Sequence, residues 1–209
     1  MFTIHFTDLP DEVVAYAFDQ FDDRLHDMES VQEYAREADE SRSFSNDTVE
    51  FDTTIVTAIL RESLYEKVDD IAQEVQIGER KDFTLDDVER MRLDIGYAFD
   101  VQVRIEVDEL PEEVKSYGFD QFPDRIMSDL EENIAQVTAH EQIRFNYEEK
   151  RVEVNDFVLT SILRGAMYEK VDDLRWEVKH GERTDYERRD IRRMRQDVRS
   201  AFEGMIRED

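Results

Sequence analysis

Arg188, Arg192, Arg195 and Arg199 follow one another at spacings of four, three and four residues. On a helix that spacing sets four guanidinium groups on one stripe, a shape suited to gripping an acidic neighbour. Arg189 and Arg193 lie beside the stripe, and Glu187, Asp190 and Asp197 offer it internal ion pairs. Trp176, the single tryptophan, stands a short way upstream and belongs to a residue type enriched at interfaces. A second polar set occurs twice: Asp19, Arg61, Tyr65 and Lys67, then Asp120, Arg164, Tyr168 and Lys170. Such residue types can move protons, but no nucleophile, oxyanion donor or activated histidine accompanies them. The simpler expectation is that Arg61 and Arg164 form fork-like ion pairs with Asp19 and Asp120, fixing how two helices pack.

Other chemistries lack their residues. His5, His26, His140 and His180 have no metal-ligand spacing, and six glycines form no phosphate-cradling loop. Adjacent acids such as Asp22 and Asp23, Asp69 and Asp70, or Asp86 and Asp87 diverge by about 100° on a helix and do not converge on a cation. No cofactor and no metal is expected, and the chain reads as a non-enzyme.

The elements that position these residues occur in duplicate. Ile59 to Asp70 reads ILRESLYEKVDD, and Ile162 to Asp173 reads ILRGAMYEKVDD. The chain therefore reads as two copies of one unit, residues 1–100 and 101–209. Phe2, Ile4 and Phe6, like Val103, Ile105 and Val107, alternate with polar residues as a half-buried strand does. Pro10 and Pro111, each followed by acids, open a helix. That helix places Val14, Ala17, Phe18, Phe21, Leu25 and Met28 on one face in the first copy, and Gly118, Phe119, Phe122, Ile126 and Leu130 in the second. A polar stretch leads to a hairpin, 43–51 with Asn46-Asp47 at its tip and 143–154 in the second copy. A long core helix follows, capped by Asp52 or Thr53 and by Asn155 or Asp156, and closed by Gly78 and Gly181. A last helix carries Val88, Met91, Ile95 and Phe99, or Ile191, Met194, Val198 and Phe202, inward. The expected class is α+β: a tandem duplication of a β-α-β-β-α-α unit of about 100 residues, with small antiparallel sheets packed against helices.

The formal net charge is −27, from 54 acidic and 27 basic side chains. Aspartate is as common as glutamate, and arginine largely replaces lysine. This composition resembles that of salt-in halophilic archaeal proteins, whose carboxylates hold surface water while molar salt screens their repulsion. Charge is also polarised along the chain: residues 1–100 hold 27 acids and 9 bases, and residues 101–209 hold 27 and 18. The expected function is that of a structural, assembly or protein-interaction protein of a halophilic archaeon or its virus, in the cytoplasm or the virion. Its partners would be proteins, including copies of itself, rather than nucleic acid or membrane. The alternative is an acidic mimic of DNA that occupies a nucleic-acid-binding protein. There is no cysteine, and neither a signal-peptide pattern nor a membrane span is expected.

Overall fold

The computed structural model describes residues 2–40, 42–44, 48–51, 54–99, 103–139, 143–154 and 158–203. In order, its elements are β1 (Phe2–His5), α1 (Asp11–His26), α2 (Met28–Glu40), β2 (Arg42–Phe44), β3 (Thr48–Phe51), α3 (Ile55–Gln76) and α4 (Leu85–Ala98). Then come β4 (Val103–Glu106), α5 (Glu112–Ala139), β5 (Ile143–Asn146), β6 (Arg151–Val154), α6 (Val158–His180) and α7 (Arg188–Glu203). The class is α+β, with two three-stranded antiparallel sheets among the described residues. The boundary expected at 100/101 lies outside them.

The polar stretch after α1 is helical, which corrects the expected element order in the first half. Val31, Tyr34, Ala35 and Ala38 are buried along α2 at helical spacing. Asp27 separates α1 from α2: its backbone is extended, and its carboxylate accepts from the Ser30 hydroxyl (2.6 Å) and the Glu29 N–H (3.3 Å). In the second half the same span continues as one helix, α5, of 28 residues.

Neither sheet belongs to one half. The first has the order β1-β6-β5 and the second β2-β3-β4, so each hairpin receives the opening strand of the other half as its third strand. Ile4 lies opposite Val152, and Ile105 opposite Val49. The Phe6 N–H extends the first ladder to the Lys150 carbonyl at 2.8 Å. Helix α1 then packs on the second-half hairpin through aromatic rings: Phe18 lies 4.8 Å from Phe145 and 5.1 Å from Tyr147, and Phe21 lies 5.2 Å from Phe145. Phe6 joins Phe18 at 5.9 Å and Phe99 at 5.6 Å, so side chains from both halves line one continuous core. Units of about 100 residues bury a smaller fraction of their surface than one chain of twice the length, and pooling the cores offsets that deficit.

The long helices begin and end by local chemistry. The side chain of Thr54 caps α3: it accepts from the Thr57 N–H at 3.2 Å while Thr57 Oγ1 accepts from the Thr54 N–H at 2.8 Å. Asp52, Thr53, Asn155 and Asp156 lie outside the described residues, as does the Asn46-Asp47 tip. Gly78 and Gly181, at φ +77° and +73°, close α3 and α6 in the left-handed conformation. The N–H of the following residue reaches back to Glu74 and Glu177, at 3.0 Å in each case.

Just past each glycine sits an arginine hub. Arg80 pairs with Glu12, with Glu74 at 3.2 Å and with Asp82 at 3.0 Å, and its guanidinium lies 4.8 Å from the Phe83 ring. Arg183 repeats this with Glu113 (2.8 Å), Glu177 (3.3 Å), Asp185 (2.9 Å) and Tyr186 (5.1 Å). Each hub fastens the start of the first helix to the end of the long one. The guanidinium bonds hold Asp82 and Asp185 below the usual carboxylate range, and the Thr84 hydroxyl does the same for Asp87. Folded-state values below the unfolded value of about 3.9 contribute stability above that pH and lose it as the pH falls through the folded values. The melting temperature is therefore expected to decline below about pH 4. Arg80→Met with Arg183→Met should flatten that decline; an unchanged acid limb would show that the hubs do not set it.

Helices α5 and α6 approach closely at Gly118, where a Cβ would come within 2.7 Å of Met167 Cγ. The corresponding first-half residues are Ala17 and Leu64, both buried, so the smaller residue faces the longer, unbranched side chain. Gly118→Val is expected to overpack this contact and cost about 1–3 kcal/mol in urea denaturation, with Met167→Ala on the same chain recovering part of it.

Candidate functional site

The last two helices of the chain enclose a cationic groove. It is a concavity of about 460 Å³ between α6 and α7, with Val178 and Ile191 at its floor and Arg175, Lys179, Arg188, Arg192 and Arg195 around them. Positions 175 and 179 are one turn apart on α6, and 188, 192 and 195 lie on one side of α7, so the packing of two helices brings five cations together. The α7 stripe was legible in the sequence. Arg175 and Lys179 were not, because nothing local says which side of α6 meets α7.

Within the groove the cations differ. Arg195 pairs with Asp172 and lies 5.4 Å from the Tyr168 ring. In the first half, Arg92 meets Asp69 in the same way at 2.6 Å, so this pair holds the last helix to the long helix in both halves. By contrast, Arg175, Lys179, Arg188 and Arg192 have no ion pair among the described residues. Arg199, one turn beyond Arg195, is exposed but does not line the groove. Next to the stripe, Arg193 meets Glu109 at 3.1 Å and Asp197 at 3.6 Å. Burial holds the Asp197 carboxyl above the usual range despite the Arg193 charge.

The matching surface of the first half has other chemistry. Ala72, Gln76, Leu85 and Glu89 stand where Arg175, Lys179, Arg188 and Arg192 line the groove. Trp176, where the first half has Gln73, is 53% exposed and stacks on His180 with ring centroids 4.2 Å apart.

The expected ties between first and long helix have the opposite polarity. Arg24 on α1 meets Glu62 at 3.3 Å and Glu66 on α3, and Arg125 on α5 meets Glu169 on α6. Arg61 lines a shallow concavity with Ser30, Glu33, Tyr34, Glu62 and Tyr65. There, burial and a bond to Glu62 push the Tyr34 phenol up to about 12. Asp19 accepts from the Tyr147 hydroxyl at 3.0 Å. Arg164 donates to Ser161 Oγ at 3.3 Å, and Asp120 is exposed. Asp19, Arg61 and Tyr65 are thus not gathered in one cleft.

Among the described residues no helix is long and apolar enough to cross a membrane, and no group of three or more His, Asp or Glu side chains is placed to hold a metal ion. Comparison of the chain with protein-family models, with curated proteins and with solved structures finds no match.

Proposed function

We propose that this is a non-enzymatic assembly protein of a halophilic archaeon or one of its viruses, built from a duplicated unit and joined to further copies through the cationic groove of its second half. The observation that carries the reading is the convergence of Arg175, Lys179, Arg188 and Arg192, with no ion pair among the described residues, on a chain of formal charge −27. Four exposed cations around one groove attract carboxylates, and the first half, with 27 acids and 9 bases, is the most acidic partner the chain itself supplies. Duplication is supported by the shared ILR and YEKVDD segments and by the two arginine hubs at Arg80 and Arg183. A contact between unlike surfaces continues from copy to copy and ends in a ring or an extended assembly.

The test is particle mass by light scattering after size exclusion, in molar KCl and in dilute buffer. A defined multimer is expected in molar KCl. Replacing Arg188, Arg192, Arg195 and Arg199 together by Glu should reduce it to single chains; an unchanged mass would sink the reading.

A further inference from the structure

The assembly reading leaves open which surface of the next copy enters the groove, and exposed apolar side chains point to one. Of the large hydrophobic residues exposed among the described residues, Ile77, Leu85, Leu93 and Tyr97 all lie at the end of α3 or on α4, with Leu93 at 61% and Tyr97 at 74% exposure. Leu93 and Tyr97 are one helical turn apart, and Leu85, eight residues before Leu93, lies about 80° round the helix from it. Asp86, Glu89 and Arg90 are exposed beside them, with Glu89 paired to Arg92 at 2.9 Å. In the second half the corresponding positions hold His180, Arg188, Gln196 and Ser200. At one place in the fold, then, the two halves present different surfaces: an apolar strip set among charges that are mostly acidic, Asp86, Asp87 and Glu89 against Arg90, and a groove with an apolar floor ringed by cations.

We infer that α4 of a second copy of this chain docks in the groove between α6 and α7, an inference that rests on the assembly reading above. An amphipathic helix fits such a groove by laying its apolar side chains on the floor and its charges on the rim. Leu93 and Tyr97 would cover Val178 and Ile191, while Asp86 and Glu89 meet Arg188 and Arg192. The strip also answers a physical difficulty. Molar salt screens the ionic part of the contact to a Debye length of about 3 Å. Salt that weakens ion pairs does not weaken apolar burial, and excluded salts strengthen it. Each chain carries one strip and one groove, so the contact is heterologous and every copy can use both.

The experiment uses two full-length variants, Leu93→Glu with Tyr97→Glu, and Arg188→Glu with Arg192→Glu. All four positions are exposed, and unchanged far-ultraviolet circular dichroism confirms folding. In molar KCl each variant alone is expected to fall to single-chain mass. An equimolar mixture, which offers one intact strip and one intact groove, is expected to form a heterodimer of twice that mass and nothing larger. If the Leu93 and Tyr97 variant keeps the wild-type mass while the arginine variant dissociates, α4 is not the occupant and the assembly reading stands. A mixture that remains monomeric also overturns the pairing. A wild-type chain that is monomeric in both salts overturns both readings.

Discussion

Phe18→Ala is expected to lower the unfolding free energy by about 3–5 kcal/mol, the cost of deleting a buried phenyl ring and leaving its cavity. Phe18 is 3% exposed on α1, and its neighbours come from both halves: Phe6 from the opening strand, Phe145 and Tyr147 from the second-half hairpin. The size of the loss follows from that position. The contacts with Phe145 and Tyr147 lie across a boundary between elements distant in sequence, so no local rearrangement refills the space. Because the ring joins the halves, the loss should be felt by both. Trp176 in the second half is the only tryptophan and reports there by fluorescence, while circular dichroism reports on all the helices. Urea denaturation should shift both signals together, with one midpoint. A tryptophan midpoint unmoved by Phe18→Ala would mean that the halves unfold separately and share no core.

Ile4→Ala should cost about 2–5 kcal/mol, and where that loss is seen matters as much as its size. Ile4 is 1% exposed and lies opposite Val152 on the central strand of its sheet. Hydrogen exchange should therefore accelerate in β6, residues 151–154, far along the chain, more than in the first-half hairpin strand β3. Faster exchange confined to β3 would refute the exchange of opening strands between the halves. Ile105 makes the converse case, since its strand pairs with β3.

Much of the local structure was legible in the residues, and one omission had a visible signal. The apolar periods of α1, α3, α4, α6 and α7, the alternation in β1 and β4, and the left-handed glycines at 78 and 181 are properties of short windows, so the sequence shows them. Helix α2 shows the same kind of period in Val31, Tyr34, Ala35 and Ala38, diluted by acids on its outer face. Its charge obscured a pattern that was present. The α3 cap fell on Thr54 because its hydroxyl, paired with that of Thr57, completes a reciprocal cap. The arginine hubs were missed for a different reason: Glu12, Glu74, Arg80 and Asp82 are scattered along the chain, and only packing gathers them.

By itself the sequence determined the element types apart from α2, the internal likeness of the two long helices, the acidic balance and the arginine stripe of α7. All of these depend on neighbours within a few residues or on direct comparison of two stretches. The tertiary structure alone decided the partners. A hairpin edge accepts any strand of matching alternation, and β1 and β4 alternate alike, so pairing within a half and pairing across halves look the same in the residues. The choice depends on which arrangement buries Phe6, Phe18 and Phe145 together, a property of the whole core. The groove likewise exists only because α7 lies against α6, which adds Arg175 and Lys179 to a stripe that the sequence showed as one face of a single helix.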